Sequence, residues 1–164
     1  MGQLGERPDR EVMGDRADLP APLAALIEDF ASLDRAGRAE LLISYADRFH
    51  EVPPEVASRP FPDSSRVTHC ESQAYVLAED LPGGTLKYHF AVENPQGLSA
   101  RAWAVIMDEA FSGQQLERVA AVPGDVVFDI FGREVSMGRG AGLIGMLALV
   151  QRLARERLAA RVAS

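Results

Sequence analysis

The first regular pattern of apolar positions begins at Leu19 and predicts two helices. Residues 1–18 are polar and charged and predict a flexible N-terminal arm. After them, apolar side chains recur at the 3.6-residue spacing of a helix: Leu23, Leu26, Ile27, Phe30 and Leu33. Asp34 is suited to cap a second helix, whose apolar face carries Leu41, Leu42, Tyr45, Ala46 and Phe49. The short connection predicts that the two helices run antiparallel.

Alternation in the middle of the chain predicts a β-hairpin with one buried face. Residues 72–79 are rich in Tyr, Val and Leu, and residues 85–93 alternate apolar and polar side chains. The apolar set is Leu86, Tyr88, Phe90 and Val92, opposite Lys87, His89 and Glu93. Residues 80–84 read Asp-Leu-Pro-Gly-Gly, which is a turn sequence. An isolated hairpin is only marginally stable, so we expect it to pack on helices, alone or with a third strand.

Helical spacing dominates the second half of the chain. Ser99 is predicted to cap a helix that carries Trp103 and ends at Gly113. Residues 114–120 predict a short helix, and residues 126–131 fit either a strand or a short helix. Ser136 precedes a glycine-rich segment, residues 138–142, that predicts a turn before a long final helix. The predicted fold class is therefore α+β, with a small antiparallel sheet packed against helices, in one domain over residues 19–164.

A proline-rich connection links the second helix to the hairpin. Residues 50–70 contain four prolines, which restrict the backbone and favour an extended segment ordered against the body. A loop of this length in a small domain is usually functional or disordered. This one ends at Cys70, the single cysteine of the chain.

Composition excludes several functions. The 164 residues carry 24 acidic and 17 basic side chains, a net charge of −7, which disfavours nucleic acids and anionic membranes as partners. The longest apolar stretch, residues 143–150, is too short to cross a bilayer, and the N-terminus does not resemble a signal peptide. One cysteine excludes an internal disulfide and a four-cysteine metal site. We therefore expect a cytoplasmic protein that holds neither a metal nor another cofactor.

Cys70 lies in a polar segment. Residues 66–73 read Arg-Val-Thr-His-Cys-Glu-Ser-Gln, where the proline-rich connection meets the first strand. A thiol reacts as its thiolate, which the neighbouring Arg66 and His69 favour and Glu71 opposes. Free cysteines are also among the most buried residues, so an inert core cysteine is the alternative. The polar neighbours favour a thiol presented from a loop.

The pattern Arg-Val-x-x-Cys-x-Ser-Gln before an apolar strand resembles the sulfur-acceptor loop of the SufE family of iron–sulfur assembly proteins. The resemblance extends from about Leu19 to Leu158. It includes Ile-Glu-Asp-Phe at residues 27–30, Phe-Ser-Gly at 111–113, and Ser-Met-Gly-Arg-Gly-Ala-Gly-Leu at 136–143. Several separate matches in the family's order are more specific than any single motif.

This resemblance implies a persulfide relay. Cys70 would accept sulfur from a PLP-dependent cysteine desulfurase, SufS-like or CsdA-like, and stimulate that enzyme. It would then pass the sulfur to a downstream iron–sulfur scaffold. The implied fold is similar to that of the IscU scaffold, without the scaffold's three cysteines. The residues that match the family around Cys70, as binding or loop-supporting groups, are Arg66, Ser72, Gln73, Ser136, Arg139 and Gly142, and His69 is an added basic neighbour.

The chain departs from the family pattern at a few positions, and two other functions stay open. Thr68 and His69 stand where the family has Pro-Gly, while Met137 and Ala141 replace its Pro and Asn. One alternative is a hydrolase with Cys70 as nucleophile and His50 or His89 as base. The other is a non-catalytic interaction module in which Cys70 is buried and unreactive.

Overall fold

The structure, a computed structural model, describes residues 16–163 and has an α+β architecture, as predicted. Most of the predicted N-terminal arm lies outside the described residues, and its last three, Arg16–Asp18, form a 3₁₀ helix. A second 3₁₀ helix spans Asp63–Ser65. The other elements are α1 (Ala21–Ala31), α2 (Arg35–Asp47), β1 (Ala74–Asp80), β2 (Leu86–Val92), α3 (Leu98–Phe111), α4 (Leu116–Ala120), α5 (Val126–Phe131) and α6 (Met137–Ala163).

Strands β1 and β2 form the predicted hairpin. They pair antiparallel from Ala74 opposite Val92 to Asp80 opposite Leu86. In the turn, Gly83 and Gly84 both have positive φ, a conformation that glycine adopts at little cost. Within residues 16–163 the sheet has two strands, and the predicted option of a third strand is reduced to one bridge between Arg66 and Tyr75.

Helix α3 lies at the centre of the core. It packs against α1, α2, α6 and β2, which explains why apolar side chains occur around most of its circumference. Its buried residues are Ala100, Ala102, Trp103, Ala104, Ile106, Met107, Ala110 and Phe111. The Trp103 side chain is fully buried, and its indole donates a hydrogen bond to the Leu143 carbonyl of α6 at 2.9 Å. Helices α1 and α2 also meet, through the stacked rings of Phe30 and Tyr45.

The proline-rich connection is ordered, and we call residues 50–66 the strap. Val52 and Phe61 of the strap bury Ala91 on the outer face of the hairpin. The Val52 amide donates to the Phe90 carbonyl at 2.9 Å, and the ring of Phe61 lies 5.1 Å from that of Tyr75. The alternation of apolar and polar residues predicts that one face of the hairpin is buried, whereas the strap also covers part of the opposite face. Strap residues also reach polar side chains of this face: Arg59 pairs with Glu93 at 3.0 Å, and His50 lines a depression with Lys87 and His89.

The predicted turn over residues 138–142 is wrong, because α6 begins at Met137 and includes all of them. Ser136 stands just before the helix. Its carbonyl accepts from the Gly140 amide at 2.8 Å, and its hydroxyl accepts from the Arg139 amide at 3.3 Å. Glycine lowers helix propensity, so tertiary packing overrides local preference here.

The predicted helix caps have mixed outcomes. Asp34 caps α2 as predicted, since its carboxylate accepts from the Gly37 amide at 2.8 Å. Ser99 caps nothing: α3 begins at Leu98, two residues earlier than predicted, with Gly97 as N-cap and no side-chain bond. The ambiguous residues 126–131 form helix α5.

Candidate functional site

Cys70 lies at the tip of a short loop closed by backbone hydrogen bonds. At the base of the loop, the Val67 amide donates to the Ala74 carbonyl at 2.9 Å. Within it, the Gln73 amide donates to the Cys70 carbonyl at 3.1 Å. The Asn94 amide donates to the Ser72 carbonyl at 3.1 Å, which ties the loop to the segment after β2. The thiol is therefore held on a supported loop and is itself half-buried.

Two residues of this loop have left-handed backbone conformations. His69 has φ of 63° and Gln73 has φ of 52°, in the region that L-residues other than Asn, Asp and His rarely occupy. Each such residue costs on the order of 1 kcal/mol, so the surrounding contacts must fix the loop shape. Gln73 serves the loop through this backbone role, since its carbonyl also accepts from the Glu93 amide at 3.1 Å.

Glycines of α6 provide the surface on which the loop rests. A Cβ atom at Gly142 would lie 3.4 Å from Cys70 Cα and 3.4 Å from the His69 carbonyl oxygen. A Cβ atom at Gly145, one turn further along, would lie 3.1 Å from the Thr68 carbonyl oxygen. Residues three apart share a helix face, so the two glycines let the loop backbone approach the helix closely. This contact accounts for the glycines at positions 142 and 145 of α6.

A cleft opens on one side of Cys70, with a volume of about 370 Å³. One wall is the start of α6, which contributes Arg139 and Gly142, and the floor includes Ser72. The opposite wall is formed by Asn94, Gln96, Gly97, Leu98, Ser99 and Ala100. This geometry gives a reagent access to the thiol between the hairpin end and two helix N-termini.

A second depression, of about 730 Å³, borders Cys70 on its other side. Arg66 and His69 line it, together with Asp63 and Glu71. Gly138 and Glu71 line both depressions, so the two form one surface around the thiol. The predicted site residues thus divide into two groups: Ser72, Arg139 and Gly142 lie along the cleft, and Arg66 and His69 lie beyond Cys70.

Two predicted site residues border neither depression. Ser136 acts at the N-terminus of α6, where it receives the amide bonds described above, and Gln73 shapes the loop through its backbone. Both positions are compatible with the loop-supporting role that the sequence predicts for them. Neither side chain provides a contact surface at the thiol.

The wall formed by residues 94–100 is absent from the sequence predictions. The hairpin register contains the missing signal: because Ala74 pairs with Val92, continuing the ladder by two residues places Ser72 opposite Asn94. A Cβ atom at Gly97 would lie 2.8 Å from the Ser72 hydroxyl, so only glycine allows the two segments to meet there. The polar turn after β2 therefore belongs to the site.

The histidines proposed as a hydrolase base lie elsewhere. His50 and His89 line a different depression with Lys87 and Asp108, and Cys70 does not border it. His89 Nε2 is 3.2 Å from the Glu79 carboxylate. Among residues 16–163, the groups around Cys70 thus contain His69 as their only histidine, on an exposed and strained loop position.

The described residues form neither a metal-binding cluster nor a membrane span. Within residues 16–163, no group of three His, Cys, Asp or Glu side chains is placed to hold a metal ion. No helix of that same span has the length and hydropathy needed to cross a membrane.

Fold and site together define a small α+β protein that presents one thiol on a supported loop. Comparison with known proteins agrees with this class. The family model described as the SufE Fe-S metabolism associated domain matches residues 24–154. The chain therefore belongs to the SufE family, and the association with iron–sulfur metabolism follows from that membership.

Relatives and a solved structure support the assignment. Two curated sequences from strains of Mycobacterium tuberculosis, both described as uncharacterized SufE-like proteins, are 27% identical over 141 residues, covering 85% of this chain and 96% of theirs. The solution structure of a hypothetical protein from Thermus thermophilus matches with a TM-score of 0.66 at 27% identity. That match covers 86% of this chain and 98% of the other.

Proposed function

We propose that Cys70 is a sulfur acceptor that takes persulfide sulfur from a PLP-dependent cysteine desulfurase. In this role the protein stimulates the desulfurase and delivers the sulfur to an iron–sulfur scaffold. The observation that carries the proposal is the position of the single thiol, at the tip of a fixed loop between two open depressions. A buried core cysteine would lack both the loop and the access.

The proposed transfer is an exchange between sulfur atoms. The Cys70 thiolate attacks the outer sulfur of the donor persulfide, and a new S–S bond forms to Cys70 Sγ. The S–S bond of the donor breaks, and its electron pair leaves with the donor cysteine as a thiolate. The outer sulfur keeps its oxidation state, so the step requires no external oxidant or reductant. A second thiol nearby would release the sulfur by forming a disulfide, and the chain has none.

The loop supports this step by positioning the thiol. The contact with Gly142 holds the Cys70 backbone against α6, and the bond from the Asn94 amide holds the other side of the loop. Ser72 and Arg139 border the cleft through which a partner's cysteine would approach. We place the relay in the cytoplasm, where a single thiol stays reduced between transfers.

Intact-mass measurement tests the proposal. The purified protein is mixed with a PLP-dependent cysteine desulfurase and free cysteine, and its mass is recorded before and after reduction. We expect wild type to gain about 32 Da, one sulfur atom, reversibly. Cys70→Ser should gain nothing and should no longer stimulate the desulfurase.

A relocated thiol provides the matched control. Val162 is 88% exposed near the end of α6, so Cys70→Ser/Val162→Cys keeps one accessible thiol far from the loop. We expect this variant to remain unlabelled at the rate seen for wild type. Equal labelling of the two proteins would mean that any exposed thiol accepts the sulfur, and full stimulation by Cys70→Ser would reject the relay.

A further inference from the structure

A further depression, of about 540 Å³, lies apart from the thiol, and Cys70 does not border it. It opens between the first turns of α2, the end of α5 and the segment that leads into α6. The described residues that line it include four arginines and a single carboxylate: Arg35, Arg38, Arg133, Arg139 and Glu134. Glu134 is already paired with Arg35 at 3.3 Å, which leaves the other three guanidinium groups in excess. We call this site the arginine depression.

The charge of the arginine depression is opposite in sign to that of the whole chain. The protein carries −7 overall, from 24 acidic and 17 basic side chains. Positive groups that line one concave site raise the local electrostatic potential and attract anions. The excess of arginine therefore indicates an anionic ligand.

The end of α5 holds one of these arginines in place. Arg38 is half-buried, and its Nη1 donates to the carbonyls of Asp129 and Ile130, both at 2.8 Å. A guanidinium has five N–H donors, and Nε and Nη2 of Arg38 make no hydrogen bond to the described residues. Because the protein itself positions this side chain, Arg38 loses little conformational freedom when it binds an anion.

Apolar side chains accompany the arginines. Leu33, Leu42 and Phe131 line the depression, are half-buried and pack against the hydrophobic core. Val135, in the segment before α6, adds a fourth half-buried apolar side chain. An apolar lining with a few well-placed charged groups is typical of small-molecule sites, whose volumes are about 300–1,000 Å³. The ligand should therefore combine an apolar body with an anionic group.

We propose that the arginine depression binds an organic phosphate, a small molecule with an apolar body and a terminal phosphoryl group. In this site Arg38, Arg133 and Arg139 hold the phosphoryl group, which carries a charge of about −1.5 to −2 at pH 7. The planar guanidinium fork can donate two parallel hydrogen bonds to phosphate oxygens. Leu42 and Phe131 contact the apolar body. The inference goes beyond the proposed sulfur transfer and does not depend on it, because the thiol lies outside this site.

An NMR titration of the isotope-labelled protein with phenyl phosphate tests the proposal. Two related probes separate its parts, since inorganic phosphate lacks the ring and phenol lacks the phosphoryl group. We expect phenyl phosphate to bind about tenfold more tightly than inorganic phosphate, and phenol to cause no shifts. Equal affinities for phenyl phosphate and inorganic phosphate, or binding of phenol, would contradict the proposed ligand class.

The same spectra locate the ligand. Gly132 lines the arginine depression, whereas Gly97 lines only the cleft at Cys70. We expect phenyl phosphate to shift the amide resonance of Gly132 and to leave that of Gly97 in place. Arg139 lines both sites, so the reverse result would place the ligand in the cleft and overturn the proposal.

A pair of exposed arginines tests the role of the charge. Arg133→Gln should weaken the binding of phenyl phosphate about fivefold. Arg118→Gln is the matched control, because Arg118 lies on α4 and does not line the depression. It should leave binding unchanged, and equal effects of the two substitutions would overturn the proposal. Both side chains are exposed, so both variants should keep the circular dichroism spectrum and melting temperature of wild type.

A conservative variant tests the positioned guanidinium. Arg38→Lys keeps the positive charge but replaces the planar fork by a single ammonium group. We expect this variant to bind phenyl phosphate about tenfold more weakly than wild type. Unchanged affinity would contradict the direct role of Arg38.

Vesicles distinguish a small molecule from a membrane, because the headgroup of phosphatidic acid carries the same phosphoryl group. Sedimentation with phosphatidic acid vesicles should leave wild type in the supernatant. Cosedimentation that is lost in Arg133→Gln would assign the arginines to a membrane surface and overturn the proposal.

Discussion

The contact between the Cys70 loop and α6 predicts that alanine at Gly145 is harmful, although alanine usually strengthens a helix. A Cβ atom there would lie 3.1 Å from the Thr68 carbonyl oxygen and 3.1 Å from Val67 Cγ1. Ordinary contacts between such atoms are about 3.5 Å or longer. The loop backbone must therefore move by a few tenths of an ångström away from the helix.

The magnitude follows from two opposing contributions. Replacing glycine by alanine inside a helix stabilises it by about 1 kcal/mol. Overpacking costs about 1–3 kcal/mol, and contact with a backbone atom on one side places Gly145→Ala near 2 kcal/mol. The expected net change is a loss of about 1 kcal/mol in the free energy of unfolding. That loss lowers the melting temperature by about 2–4 °C for a chain of this size.

Gly140→Ala provides the control on the same helix. A Cβ atom at Gly140 would meet Val135 and Phe128 at 3.6 Å or more, which is ordinary van der Waals contact. This variant should gain up to about 1 kcal/mol, so the two alanines should differ by about 2 kcal/mol. Urea denaturation followed by circular dichroism measures both.

The labelling rate of the Cys70 thiol tests whether the same contact also controls access to the site. Displacing the Thr68 carbonyl should expose Cys70 further, and Gly145→Ala should react with a maleimide severalfold faster than wild type under native conditions. Gly140→Ala should react at the wild-type rate. If both alanines stabilise the protein equally and leave the labelling rate unchanged, the loop does not rest on α6 as described.

Three further predictions concern the support of the fold. Burial raises the pKa of Tyr88, and its hydroxyl has no hydrogen-bond partner in the described chain, so Tyr88→Phe should raise the free energy of unfolding by about 1 kcal/mol in a thermal melt. Gln151 Nε2 donates to three carbonyls at the end of α4, and Gln151→Leu should cost about 2 kcal/mol in urea denaturation. The hydrogen bond from Arg59 lowers the pKa of Glu51 below its ordinary value of 4.5. The ionised Glu51 therefore contributes its full stabilisation above pH 4.5, and this contribution is lost as the pH falls through the lowered pKa. Arg59→Met should remove this contribution and so flatten the acid-unfolding profile below pH 4.5.

Local periodicity was sufficient to predict most elements of this fold. The alternation at Leu86, Tyr88 and Phe90 identified β2, and the helical spacing around Trp103 identified the central helix. The start of α6 was not predictable in this way, because Gly142 and Gly145 serve a contact with a loop more than sixty residues earlier. Single-sequence propensity contains no information about such a distant partner.

The site was likewise predictable only in part from the sequence. The polar segment around Cys70 and the family resemblance were enough to single out the thiol, Ser72 and Arg139. The strained backbone at His69 and Gln73 could not be read from side-chain types, since both conformations depend on contacts with distant parts of the chain. The wall after β2 required the strand register as well as the sequence.

The chain's single tryptophan also gives the protein a built-in optical probe. Trp103 is bonded to the Leu143 carbonyl, beside the glycine that faces Cys70, and its ring meets Phe131 edge-on with centroids 5.8 Å apart. Phe131 lines a depression beside Arg139 at the start of α6, so the indole contacts residues beneath both that depression and the Cys70 cleft. Its intrinsic fluorescence should therefore shift when a partner docks or sulfur is loaded, which makes both events observable in real time without a label.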